Sequence, residues 1–198
     1  MNVMKNSRVL LLLLMGLIMG LVSCEESDAP SDQSNWKERN VQYIDSIAAV
    51  ARANADGNWK VILATGLDSS KEWGNEFYVY CHSLQAGSGV GSPLFTDYVS
   101  VNYRGSLIPT AKYPSGYVFD GSYDGVLDPS FDIPVVFQLS GTVQGFSTAL
   151  QHMVRGDVWR VYIPWMLGYG SNEKGNIPSY SALVFDINLV DFSFNKID

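Results

Sequence analysis

The chain has 198 residues, 46% of them apolar and 13% aromatic, which suffices for one well-filled domain with an extension and excludes global disorder. A net charge of −7 without any basic cluster excludes nucleic acid as a partner, since that binding rests on Lys and Arg neutralising phosphates. The same balance disfavours electrostatic adsorption to anionic lipid, and 18 glycines with 11 tyrosines favour sheet and turns over a helical bundle.

Residues 1–23 read as an export signal outside the fold. Lys5 and Arg8 form a short positive region, and "VLLLLLMGLIMGLV" (9–22) is the apolar core, short for a spanning helix and with no charged stop beyond it. The segment ends "LVSC" (21–24), which resembles the lipobox of bacterial lipoproteins: a small Ser23 before Cys24. Cys24 is therefore expected to be the lipidated mature N-terminus, with each buried methylene of its acyl chains adding about 0.8 kcal/mol of membrane affinity. A plain signal peptide with a chance cysteine is the simpler alternative. Residues 24–34 form the tether: Cys24 is followed by "EESDAPSDQS" (25–34), acidic and apolar-poor, with a coil dimension of roughly 18 Å. Glu25 and Glu26 after Cys24 point to the outer membrane of a bacterial envelope, on its periplasmic or surface face.

Residues 35–75 are expected to form a helical extension. Asn35 with Glu38 makes a candidate capping box, Tyr43, Ile44, Ile47, Ala48 and Ala51 recur at helical spacing, and "NADGN" (54–58) closes the segment. Such a helix either packs on its own domain or serves a partner or a dimer. From Glu76 the period becomes two. Strand-like runs follow at 76–84, 97–108, 116–123, 134–140, 157–164 and 182–192. The Gly-rich "QAGSGVGSP" (85–93) lacks the strand–turn–helix context of a phosphate cradle and reads as a plain loop. One short helix interrupts the strands: "VQGFSTALQHM" (143–153) places Phe146, Ala149, Leu150 and Met153 on one face. Trp159, Val161 and Ile163 share one face of their strand, as do Leu183, Phe185, Ile187 and Leu189 of the last. The expected architecture is α+β: a curved antiparallel sheet of five to six strands wrapped around one short helix, with an N-terminal helical extension.

If Cys24 is lipidated, Cys81 has no partner for a disulfide, and its place in "FYVYCHSL" reads as a small buried hydrophobe. His82 and His152 stand far apart without metal-ligand spacing, and no nucleophile motif is present, so neither a metal nor a cofactor is expected.

The order of landmarks is more specific than any of them alone. "VSVNYRGSL" (99–107), "VFDGSY" (118–123), "VVFQL" (135–139), "VQGFSTALQHMVRGDVWRVYIP" (143–164), "GYG" (168–170), "IP" (177–178) and "ALVFDINLV" (182–190) resemble, in sequence and order, the FK506-binding-protein family of peptidyl-prolyl isomerases. Within it they are nearest the exported bacterial members related to macrophage infectivity potentiator, and the likeness covers residues 76–193. The resemblance implies a pocket of aromatic and aliphatic side chains between sheet and short helix. Its catalytic residues would be Tyr169, matching the hydroxyl that meets the ligand carbonyl, with Asp120 and Phe119. Tyr103, Val143, Phe146, Ile177 and Phe185 would bind substrate. The oily turn "IPWMLGYG" (163–170) would then fold over one rim with Tyr169 pointing in and residues 165–167 buried behind it.

Several positions depart from the family pattern. Phe146 stands where the floor is most often Trp, which implies that macrocyclic inhibitors of the family bind, but more weakly. Val135 stands where many members have another pocket aromatic, "PTAKYPSGY" (109–117) lengthens the approach to Phe119, and Glu173 and Lys174 occupy the rim. The resemblance implies a prolyl isomerase acting on proline-containing polypeptides that fold in the envelope. A holdase that binds apolar segments without turnover is the alternative, and a structural lipoprotein with an unrelated β-sandwich is a third reading that predicts no pocket around Tyr169.

Overall fold

The computed structural model describes residues 35–128 and 131–197; the export signal, Cys24 and the acidic tether lie outside the described residues. Helix α1 (Trp36–Ala53) is followed by strands β1 (Trp59–Leu63), β2 (Tyr78–Gln85), β3 (Tyr98–Ser106), β4 (Val118–Gly121) and β5 (Val135–Gln138). Helix α2 (Gln144–Leu150), strand β6 (Val158–Ile163), a 3₁₀ turn at Trp165–Leu167 and strand β7 (Leu183–Ser193) complete the order.

All strands join one antiparallel sheet in the order β1-β2-β6-β7-β3-β4, with β5 also on β3. The two short strands share one edge: β5 pairs with the first half of β3 (Val99 opposite Phe137) and β4 with its second half (Gly105 opposite Asp120). The six alternating runs thus form six strands that fill five positions across the sheet. The strand β1 is an addition. Residues 59–63 lie within the stretch expected to be helical, yet they pair with β2 from Trp59 opposite His82 to Leu63 opposite Tyr78.

Directly opposed residues of antiparallel strands face the same way, so the register sorts the two faces. Val79, Cys81, Trp159, Val161, Ile163, Phe185 and Ile187 face α2, all buried or nearly so. Close approach of α2 to β6 requires Gly145, since a Cβ there would stand 2.2 Å from Ile163 Cγ2. The other face carries Trp59, Tyr80 and Tyr162, and α1 lies against it: Tyr43 meets Tyr162 at 6.2 Å, and Arg52 lies over the Tyr78 and Tyr80 rings at 5.7 and 5.9 Å. Helix α1 therefore packs on its own domain, the first of the two sequence readings.

The start of α1 differs from expectation. Asn35 has φ 58°, a left-handed conformation with no side-chain cap, and Glu38 accepts from Gln42 instead of reaching back. Asn54 ends the helix in the left-handed region, as "NADGN" suggests, its N–H donating to the Val50 carbonyl. The Gly-rich loop after β2 is a packing feature. Cβ atoms at Gly87 and Gly89 would stand 2.4 and 2.7 Å from the Arg155 backbone.

Candidate active site

Four rings from four elements meet on the α2 side of the sheet. Tyr103 comes from β3, Phe137 from β5, Phe146 from α2 and Phe185 from β7. Tyr103 lies 5.4 Å from Phe137, 6.3 Å from Phe146 and 6.4 Å from Phe185, and Phe146 lies 5.2 Å from Phe185. Three of these four contacts are edge-to-face, the arrangement the ring quadrupole favours, and each aromatic pair contributes on the order of 0.5–1.5 kcal/mol. The rings form an apolar cup of about 310 Å³ whose rim adds Asp120, Gly141, Thr142, Val143, Tyr169 and Lys174.

Polar groups are few and placed on the rim. The Tyr103 hydroxyl donates to Asp120 Oδ2 at 2.8 Å, and the Gly121 N–H donates to Asp120 Oδ1 at 2.9 Å, so both carboxylate oxygens are held. Burial, then the bond to Asp120, pushes the Tyr103 hydroxyl well above its usual range. Burial followed by the charge of Asp120 also raises Tyr169, which therefore keeps its proton at neutral pH. No protein group among the described residues accepts from the Tyr169 hydroxyl, leaving it a donor facing the cup. Val143 precedes α2 in extended backbone, and no backbone carbonyl of the described residues accepts from its N–H.

A model of the FKBP-type peptidyl-prolyl cis-trans isomerases matches residues 92–190, half of the chain, including the elements that build the cup. The chain belongs to this family. The Mip isomerase of Coxiella burnetii is 39% identical over 108 residues, covering 54% of this chain and 41% of that protein. The FkpA isomerase of Escherichia coli is 29% identical over 177 residues, covering 83% of this chain and 60% of that protein. The chain therefore spans only about half the length of such relatives. A crystal structure of a peptidyl-prolyl isomerase from Pseudomonas syringae pv. tomato superposes with a TM-score of 0.55 at 28% identity, covering 79% of this chain and 96% of that one.

In this FKBP-type domain, six of the eight expected pocket residues line the cup: Tyr103, Asp120, Val143, Phe146, Tyr169 and Phe185. Phe119 and Ile177 do not. A bulge between Gly105 and Ser106 lets Phe119 lie on the same side as its neighbour Asp120, and its ring packs edge-on against Phe185 at 5.6 Å, behind the cup. Ile177 is 5% exposed and braces the rim from within, its backbone exchanging hydrogen bonds with Lys174 at 2.9 and 3.0 Å.

Two further expectations need correction. Val135 does not leave the cup short of an aromatic. Phe137, two residues on and so on the same face of β5, supplies the ring. The turn after Pro164 is not wholly buried: Leu167 is 3% exposed, but Met166 is 42% exposed, and Trp165 packs edge-on against Tyr180 at 5.1 Å. Beyond this site, a groove of about 390 Å³ lies on the opposite sheet face between α1 and residues 109–118. There Arg160 grips both oxygens of Asp186 at 2.7 and 2.8 Å, a polar setting unlike the cup. A pocket around Tyr169 in a single sheet removes the β-sandwich reading. Among the described residues, no helix is long and apolar enough to cross a membrane.

Proposed function

We infer that this chain catalyses cis–trans isomerisation of Xaa–Pro bonds in polypeptides folding in a bacterial envelope. The observation that carries the reading is the closed ring of Tyr103, Phe137, Phe146 and Phe185 with one proton donor, Tyr169, at its rim. Amide resonance sets a barrier of about 18–20 kcal/mol, and isomerisation unaided takes tens to hundreds of seconds. The twisted amide has less charge separation than either planar form, so a dry apolar cup favours it over the ground state. The proline ring sits on Phe146 against Phe185, the Tyr169 hydroxyl holds the substrate carbonyl, and the Val143 N–H is available to a second carbonyl. Asp120 acts through Tyr103, whose hydroxyl it fixes, and Phe119 acts by backing Phe185. A 10⁶-fold acceleration needs only about 8 kcal/mol of differential stabilisation, within reach of such a site without nucleophile or metal.

Cys24 would tether this domain to the outer membrane through acyl chains, with residues 25–34 as spacer. Macrocyclic ligands of the family would bind the cup less tightly than where Trp forms the floor. The test is Xaa–Pro peptide exchange measured by NMR with the purified chain, beside Tyr169→Phe and Asp120→Val. Loss of one oriented hydrogen bond should lower kcat/KM about 5- to 10-fold in Tyr169→Phe. Peptide binding with exchange at the uncatalysed rate would instead assign the chain to the holdases.

A further inference from the structure

The segment between β6 and β7, residues 164–182, carries Tyr169 and Lys174 to the cup. Within it, the Gly170 N–H donates to the Trp165 carbonyl at 2.9 Å, and the Tyr180 N–H donates to the Gly170 carbonyl at 2.9 Å. The residue after Tyr169 is thus tied to both Trp165 and Tyr180. Those two residues are in turn held from outside, by α1. The Lys37 ammonium stands 4.6 Å from the Tyr180 ring centre and 5.3 Å from that of Trp165. Trp36 Nε1–H donates to Ser181 Oγ at 3.0 Å, and the Ser181 hydroxyl donates to the Pro178 carbonyl at 2.6 Å. Asn40 accepts the Ala182 N–H at 2.8 Å and donates to the Trp36 carbonyl at 2.7 Å. Tyr180 itself has φ 60°, a conformation that a bulky residue keeps only where its surroundings hold it.

Asn40 is the informative residue. It is 0% exposed, in a helix stripe otherwise made of Trp36, Ile44, Ala48 and Ala51. An apolar side chain there would give cohesion without desolvating an amide. The amide instead makes directed bonds, one of them to the end of the segment that carries Tyr169, and directed bonds fix position as well as stability. We propose that α1 is a clamp on the pocket: Trp36, Lys37 and Asn40 are positioning residues that fix residues 164–182 and, through them, the direction of the Tyr169 hydroxyl. The proposal rests on the reading of Tyr169 as carbonyl donor, and it gives the segment preceding the family match a part in catalysis.

The test uses the full chain with Asn40→Ala, Trp36→Phe (which keeps a ring and removes the donor) and Ile44→Val as a control elsewhere in the same buried stripe. Two readouts are taken. One is kcat/KM on an Xaa–Pro peptide. The other is the ¹⁹F spectrum of chain labelled with 3-fluorotyrosine, in which the Tyr169 signal is the one lost in Tyr169→Phe. Asn40→Ala should lower kcat/KM about tenfold, mostly in kcat, and shift or broaden the Tyr169 signal, because small misplacements of a catalytic group are costly. Trp36→Phe should do the same in part, and it carries the test if Asn40→Ala does not fold. Ile44→Val should lower Tm with neither change. In a Tyr169→Phe background, Asn40→Ala should have little further effect on kcat/KM, as residues acting through one group are non-additive. A folded Asn40→Ala or Trp36→Phe chain with the Tyr169 signal unmoved overturns the clamp, even if Tm falls. A wild-type chain without turnover whose Tyr169 signal still responds overturns the isomerase reading and leaves the clamp standing.

Discussion

Adding a single methyl group to Gly105 should both destabilise the domain and deform the pocket. Gly105 lies in β3 opposite Phe185 on one side and Asp120 on the other. A Cβ built there would stand 2.6 Å from Phe185 Cε1 and 2.7 Å from two ring atoms of Phe119. Ordinary contact begins near 3.4 Å, so the two rings, which meet at 5.6 Å between centroids, must separate by most of an ångström. Overpacking of this kind costs about 1–3 kcal/mol, and the smaller unfolded-state entropy of Ala returns about 0.5–1 kcal/mol. The net loss is roughly 1–2 kcal/mol, or a fall in Tm of about 2–8 °C for a domain of this size. Urea or thermal unfolding of Gly105→Ala measures it, with Gly141→Ala beside it, where a new Cβ meets nothing within 4 Å. Phe185 lines the cup, so peptide affinity should fall as well. A Gly105→Ala chain as stable as wild type, with peptide binding intact, would refute the close-approach argument.

Other consequences are smaller in scope. Leu167→Ala should cost about 2–4 kcal/mol while Met166→Ala stays within about 0.5 kcal/mol, a contrast that denaturant unfolding resolves. Burial drives the Cys81 thiol far above its ordinary range, so Cys81 in the native chain should resist iodoacetamide at pH 8 and be labelled only on unfolding, as peptide mapping would show. Arg155 holds Asp191 below the usual carboxylate range, so the folded state binds this proton less readily than the unfolded chain. That stability is present above the unfolded pKa, near 4, and is lost as pH falls through the lower folded value. With the pair half exposed it amounts to at most about 1 kcal/mol, and the difference between wild type and Asp191→Asn should shrink from pH 7 towards pH 2.5.

The strands that were legible are those with a buried and a less buried side. "DVWRVYIP" and "ALVFDINLV" alternate because one face meets α2, and that alternation survives in the residues themselves. "WKVIL" does not alternate. It is a five-residue edge strand in which Val61, Ile62 and Leu63 follow one another, so no period distinguishes it from the end of a helical segment. Periodicity likewise found the apolar stripe of α1 but not what it covers. Tyr162 and Ser181 are more than a hundred residues away in the chain, and Asn40, polar and buried, breaks the very pattern by which buried positions are recognised.

At the pocket the same division holds, with register as the deciding quantity. Motif order singles out Tyr103, Asp120, Phe146, Tyr169 and Phe185, and the structure brings all five around one cup, four from strands and α2 and Tyr169 from the turn after β6. Motif order does not single out Phe137, because Val135 and Phe137 share one face of their strand and alternation alone does not say which of them reaches the cup. Pairing with β3 fixes the residue, setting Phe137 opposite Val99 and Val135 opposite Val101. Both face the cup side, and of the two only Phe137 reaches Tyr103, at 5.4 Å. Phe119 is the opposite case. It lies beside Asp120, and the bulge that turns it towards Phe185 also seats it behind that ring. Where a side chain comes to rest at such a site depends on what occupies the next strand, here a glycine at 105, and that neighbour is set by the fold rather than by the adjacent sequence.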